Sequence, residues 1–454
     1  MKGLNKTHRI WFAIGMVFLL IVLAAAYKGI KHGASEGGAG QQKEAEVIKE
    51  KDAGEDLSNE GYKLEQVLVL SRHNIRSPLS GGDSVLGKVT PHEWFHWSSP
   101  ASQLSVRGGV LESCMGQYFR KWLEKEGLFP ENYQPREEAV RIYANSKQRT
   151  IATARFFAAG LLPTMNEDVE YHADFDTMDP VFHPKLTFVS EKYKDAALKQ
   201  IGEMYSDEIE SLSDNYTLLT DVIDLKDSDA WKDKSIEEFK TDDWKVDLET
   251  GEEPALEGSL KTAGSVSDAL VLQYYEEEDP KKAAFGESLD GKQWKDIAEI
   301  VGVYGQVLFG SPLISCNVAN PLLKEMQSEM SADGRQFTFL CGHDSNIMSV
   351  LSALGAEDYK LPEAIEYKTP IGCKLVFSKW RKENGEVFWD VDLVYQTTEQ
   401  LRSVDILTEE DHPAVVDIDL AGVEQNGDGL YPDKEIKERF TKAINEYDRI
   451  ADTY

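Results

Sequence analysis

Positive charge is what this sequence lacks most. Its 454 residues hold 49 Lys+Arg against 80 Asp+Glu, a formal net charge of −31. Nucleic acid binds through Lys and Arg that neutralise phosphates, so a nucleic-acid partner is excluded. Small phosphate anions are repelled too, unless cations are concentrated locally. Cysteine is scarce. Cys114, Cys316, Cys341 and Cys373 are too few for a disulfide scaffold and have no metal-ligand spacing. Three of them sit in apolar segments, as small buried hydrophobes do. Internal repeats are absent, and only one long apolar run occurs. What is present is 41% hydrophobic and 10% aromatic residues. That is enough to bury a large core, which excludes a disordered acidic chain, and the length points to two domains or more.

The apolar run is Ile10 to Tyr27, 18 uncharged residues behind Lys2, Lys6 and Arg9. This is the lower limit for a bilayer-spanning helix, and the basic flank should stay cytoplasmic. Ala24-Ala25-Ala26 also satisfies the small-residue rule for signal cleavage. Residues 1–27 therefore read as a signal or a membrane anchor, with the rest of the chain extracytoplasmic: periplasmic, secreted or at the cell surface. Residues 28–60 hold no aromatic side chain and are rich in Gly, Ala, Ser, Glu and Lys, the composition of a flexible tether.

Beyond it, Gln66 to Leu70 and Gln336 to Cys341 are short continuous apolar runs, as expected of strands buried on both faces in a parallel sheet. Leu111, Cys114, Met115, Tyr118, Phe119 and Trp122 recur at helical spacing, with Gly127 as the stop. Helices are also expected over Gln148 to Leu161 and Ser345 to Leu354, and strands over Lys374 to Trp380 and Val387 to Tyr395. From about Lys192 to Leu308 the signals are mostly helical and acidic. The layout that follows is an α/β domain from residues 61–185 and 310–454, interrupted by a helical insertion at 186–309.

Chemistry gathers at the ends of the two buried strands, where ligands bind in open α/β sheets. Ser71-Arg72-His73-Asn74-Ile75-Arg76 puts two arginines around a histidine, and guanidinium groups are almost never buried unpaired. They either pair with carboxylates or bind an anion. Gly342-His343-Asp344 opens a helix, whose N-terminus favours anions, although Asp344 could simply be its cap. Arg149, in a first helical turn, opposes the helix dipole, and a bound anion would account for it.

RHxxRxP after a strand, an arginine in Asn145-Ser146-Lys147-Gln148-Arg149-Thr150, and a downstream Gly342-His343-Asp344 together resemble the histidine acid phosphatases. Gln66 to Leu79, Thr177 to Pro184, Leu272 to Glu276, Gly342 to Leu354 and Thr369 to Trp380 look like the bacterial glucose-1-phosphatase branch, related to phytases. The likeness runs over nearly all of Gly61 to Phe440. It implies a phosphoglycerate-mutase-like α/β fold with a helical insert, and an acid phosphomonoesterase acting on sugar phosphates. His73 would be the nucleophile that becomes a phosphohistidine, and Asp344 the proton donor and then base. Arg72, Arg76, Arg149 and His343 would bind the phosphoryl group, and Glu276 would gate the pocket. The arginines supply the positive charge, so no metal or cofactor is required. Asn74, where the commonest family form has Gly, should narrow the site. Cys373 replaces a branch glycine, with no functional explanation. Val423 and Leu430 stand where related enzymes carry a disulfide, so that staple is absent.

Several weaker signals compete. Glu424 to Glu435 has EF-hand-like spacing, but Pro432 and the missing leading Asp favour a plain turn. His92 and His96 could hold zinc, although aromatic packing at the pocket rim accounts for them better. The functional alternatives are a phytase or broad acid phosphatase, an HD-type metal phosphohydrolase using His343 and Asp344, and a tethered sugar-phosphate-binding protein that does no chemistry.

Overall fold

A computed structural model describes Leu57 and residues 61–454, apart from 81–83 and 166–167. The apolar run Ile10 to Tyr27 lies outside the described residues, as does the tether except at one point. Leu57 is buried, and its carbonyl accepts from Tyr62 N–H.

In chain order the main elements are β1 (Tyr62–Arg72), α1 (Val106–Lys125), β2 (Val140–Ala144), α2 (Gln148–Leu161), α3 (Glu191–Ser211), α4 (Ser213–Val222), β3 (Trp244–Asp247), β4 (Ala255–Gly258), α5 (Ser259–Glu276) and α6 (Gly291–Phe309). They continue with α7 (Asn320–Met330), β5 (Phe337–Gly342), α8 (Asp344–Leu354), β6 (Lys374–Lys382), β7 (Val387–Tyr395), β8 (Ala414–Asp417), β9 (Tyr431–Pro432) and α9 (Asp433–Thr453). A seven-stranded sheet runs β2-β5-β1-β6-β7-β8, with β9 beside β7. β2, β5 and β1 are parallel, while β6 runs antiparallel to β1, so the sheet is mixed and β1 is parallel to only one neighbour.

The continuous apolar runs are explained by helices on both faces. Side chains alternate across a strand. Val67, Val69, Phe337 and Phe339 therefore pack under α1 and α2 with Met115, Phe119 and Phe157, while Leu68, Leu70 and Leu340 pack under α7, α8 and α9 with Met326, Ile347 and Phe440. Phe157 stacks on Phe339 at 4.1 Å. Helices α1 and α2 touch backbone to backbone, because a Cβ on Gly116 or Gly160 would strike the facing carbonyl of Phe157 or Ser113. Helix α8 ends at Gly355, whose φ of 71° is the left-handed C-cap conformation.

Between Leu186 and Phe309 the regular elements are helices, apart from the β3–β4 hairpin. Its core of Tyr193, Ile201, Leu260, Ile297 and Val303 runs on into Ile75, Leu111, Met348 and Ile371 of the flanking chain. The described residues make one compact unit. We therefore propose to read the division at 186 and 309 as the course of the chain, not as two separable bodies. Among the described residues no single helix is long and apolar enough to cross a membrane.

Candidate active site

The carboxyl ends of β1 and β5 lie side by side, with Arg72 opposite Gly342, so the two motifs meet. They open into a cavity of about 480 Å³ lined by His73, Arg76, Arg149, His343 and Asp344. Arg72 lies beneath. Its Nη1 is 2.8 Å from Glu366 Oε2 and donates to Thr369 O, while Nη2 is 3.4 Å from Asp344 Oδ2. Helix α2 delivers Arg149 from the far side, and α5 delivers Asp268, whose carboxylate is 3.2 Å from Arg76. Each guanidinium keeps one unanswered group: Nε of Arg72, Arg76 and Arg149 is buried without a protein acceptor. Buried donors are normally satisfied, so this arrangement is complementary to an anion.

The two histidines are oriented by their neighbours. His73 Nδ1 is 2.9 Å from Asn74 O, an acceptor only, which places the proton on Nδ1 and the lone pair on Nε2. Asn145 takes the Asp179 N–H on Oδ1, which aims its amide nitrogen at His343 Nε2, 2.6 Å away. The proton of neutral His343 is then on Nδ1, which faces Arg149 Nη2 at 3.4 Å. Two donors pointing into one space again fit an acceptor between them. The His73 and His343 rings meet edge to face at 5.4 Å.

Electrostatics follow from this crowding. Burial first, then Arg149, the other histidine, Arg76 and Arg72, hold His73 well below the usual imidazole range. His343 is lowered likewise by burial and by Arg149 and Arg76. Both are thereby held neutral to lower pH than an ordinary imidazole, which suits a nucleophile in acid. Burial and Arg76 push Arg149 down to about 10, which leaves it cationic. For Asp344, burial acts upward. Arg72, the Ser345 N–H, Arg76 and Arg149 outweigh it and hold the carboxyl below its ordinary value. The side chain is 42% exposed, so it faces an incoming molecule. Asp344 is the first helical residue of α8; the cap is His343, whose N–H donates to Asn346 Oδ1.

Two residues stand elsewhere than the sequence pattern placed them. Glu276 does not line the cavity. It ends α5, about two turns beyond Asp268, where it faces Arg107 at 3.6 Å. Besides Asp344, the carboxylates that line the cavity are Asp268 and Glu253, neither of which the motifs flagged. Helical periodicity on α5 was the only available signal for Asp268, and it does not say which turn faces the site. Asn74 does not narrow the site either: its amide turns away and donates to Glu112. Sequence reading also missed Glu366, the partner of Arg72, and Asn145 as the group that orients His343.

Away from the cavity, His92 stacks on Phe285 at 4.9 Å and contacts Asp224, in keeping with aromatic packing. Asn426 Oδ1 accepts from Asp428 and Leu430 N–H, as in a plain turn. All four cysteines are buried and free.

The family model described as the histidine phosphatase superfamily (branch 2) matches residues 63–396. The chain is 38% identical to a glucose-1-phosphatase of Salmonella typhimurium, over 82% of this chain and 91% of that protein. It is 28% identical to the phytase AppA of Escherichia coli, over 85% and 92%. Among solved structures it is similar to the apo form of Hafnia alvei phytase, with a TM-score of 0.78 at 25% identity, over 85% and 98% of the two chains.

Proposed function

Because the chain belongs to the histidine phosphatase superfamily (branch 2) and is an acid phosphomonoesterase, we propose that it hydrolyses sugar phosphates of the glucose 1-phosphate kind through a phosphohistidine at His73. The observation that carries this reading is the orientation of His73. Its Nδ1 proton is tied to Asn74 O, which leaves the lone pair on Nε2, and the ring lines one cavity with Arg76 and Arg149, whose buried Nε groups have no protein acceptor.

In the first step His73 Nε2 attacks phosphorus, an N–P bond forms, and the bond from phosphorus to the sugar oxygen breaks. Asp344 gives that oxygen its proton, so the sugar leaves as a neutral alcohol. Arg72, Arg76, Arg149 and His343 Nδ1–H hold the equatorial oxygens and stabilise charge that grows in the transition state. In the second step water attacks phosphorus, Asp344 takes its proton, and the N–P bond breaks, which returns neutral His73. The phosphate dianion itself prepares Asp344. It offsets the arginines that keep the carboxyl ionised and so favours its protonated form.

Glu253 and Asp268 favour a leaving group that bears hydroxyls over one that bears further phosphates. A phytase reading draws on the likeness to phytases, and comparing rates on glucose 1-phosphate and inositol hexakisphosphate separates the two. We also propose that residues 1–27 direct the protein out of the cytoplasm. The deciding experiment compares His73→Ala with the unaltered chain on glucose 1-phosphate, with and without a chelator. We expect no turnover from the variant and no effect of the chelator on the unaltered enzyme. A full-rate variant overturns the reading.

A further inference from the structure

Behind the nucleophile lies a buried chain of polar groups that the two-step mechanism does not use. His73 Nδ1–H donates to the carbonyl oxygen of Asn74 at 2.9 Å. The N–H of that same peptide unit, on Ile75, donates at 2.9 Å to Asn74 Oδ1. The other end of the Asn74 amide donates at 2.9 Å to Glu112 Oε2, and Glu112 Oε1 lies 2.8 Å from Lys374 Nζ. Lys374 donates to Gly372 O, and Gly372 N–H donates to His73 O, which closes the circuit. Glu112 and Lys374 are 0% exposed, and Asn74 is buried. At Gly372 a Cβ would strike the Asn74 amide, so the loop seals this side chain in place.

Every bond from His73 to Glu112 runs in one sense, donor toward acceptor, and ends on a carboxylate. Such chains polarise one another in a low-dielectric interior. A buried ion pair is by itself weak evidence for stability, and a well-packed apolar pair often serves as well. Its placement at the end of this chain supplies a reason for it.

We propose that Asn74 and Glu112 are positioning residues that act on His73 through the Asn74–Ile75 peptide. They fix the proton on Nδ1 and stabilise the positive charge that the ring acquires when Nε2 bonds to phosphorus. Lys374 holds Glu112 in place. This inference rests on His73 being the nucleophile.

The test uses the full chain with His73→Ala, Asn74→Gly, the neutral pair Glu112→Gln/Lys374→Met, and the triple combination. Single-turnover phosphorylation by p-nitrophenyl phosphate, inhibition by inorganic phosphate and thermal melting are measured for each. Asn74→Gly should slow phosphorylation about tenfold or more with phosphate inhibition unchanged. The neutral pair should slow it in the same way. The triple variant should be no slower than Asn74→Gly, because the changes break one chain. Phosphorylation at the unaltered rate in Asn74→Gly overturns the proposal. So does a matching loss of phosphate inhibition, which marks Asn74 as a brace for the arginine loop, and so do multiplicative effects in the triple variant. If the neutral pair does not melt cooperatively, Asn74→Gly decides alone. Turnover by His73→Ala removes the nucleophile reading itself, an outcome distinct from an unaffected Asn74→Gly beside an inactive His73→Ala.

Discussion

Arg72 Nη2 lies 3.4 Å from Asp344 Oδ2, so a fixed cation faces the carboxyl group that we assign as proton donor. In the free enzyme this contact works against the donor's job. Arg72, with Arg76 and Arg149 behind it, outweighs burial and keeps Asp344 ionised to lower pH than usual. His73 and His343 are lowered as well, by burial and by the same guanidinium groups.

These two effects set a pH dependence. Above its depressed pKa, the protonated fraction of Asp344 grows as pH falls, while His73 stays neutral below the ordinary imidazole value. We expect kcat/KM for glucose 1-phosphate to rise from neutral pH into acid and not to fall as pH crosses the ordinary imidazole value near 6.5. A rate profile over this range checks it. A decline centred there would mean that His73 titrates normally.

Asp344→Asn removes the proton donor but keeps the shape. A sugar alkoxide is a poor leaving group and a nitrophenolate a good one. The variant should lose at least about a hundredfold in phosphorylation rate with glucose 1-phosphate. It should lose far less with p-nitrophenyl phosphate, from which a burst of nitrophenolate should precede slow turnover. Equal losses with both substrates would argue against proton donation by Asp344.

Asp268 occupies Arg76 at 3.2 Å, and its carboxylate adds negative charge to the cavity. Asp268→Asn should free the guanidinium and tighten inhibition by inorganic phosphate, by roughly tenfold if the lost repulsion is about 1.4 kcal/mol. Activity on inositol hexakisphosphate should rise relative to glucose 1-phosphate. Inhibition constants and the ratio of the two rates measure this.

Stability has its own electrostatic anchor at the sheet edge. Arg141 on β2 contacts Glu170 and Glu329, each at 2.7 Å, and Glu329 is buried. Arg141→Ala removes one charged partner from each, although Glu329 keeps Arg335 at 2.9 Å, and should cost about 2 kcal/mol, read from denaturant unfolding. The hydrogen bond from Arg141 holds Glu170 below its ordinary 4.5 despite partial burial. A depressed carboxyl adds stability above its unfolded-state pKa and loses it as pH falls through the folded-state value. The difference between the unaltered protein and the variant should therefore shrink below about pH 4.5.

Much of this site was legible because its pieces are local. The apolar runs of β1 and β5 each end in their reactive residues, so a linear reading finds His73, the arginines and Asp344 together with their strand-end setting. The helix over Gln148–Leu161 matches its expected bounds, since helical periodicity is short-range. Glu276 shows where this fails. Periodicity gives the spacing of a helix face but not its longitudinal register against a neighbour, so the choice between Glu276 and Asp268 depended on how α5 docks.

The order of residues along the chain names the chemistry on offer: a histidine between arginines, an acid after a second histidine, each at the end of a buried strand. Those assignments rest on residue type and local pattern. The partners of those groups are a property of the folded chain. Glu366 beneath Arg72, Asp268 against Arg76, and the turn of Asn74 away from the cavity toward Glu112 and Lys374 all join residues far apart in the chain. Buried charges must find partners, and burial, which makes that need urgent, exists only once the chain has folded.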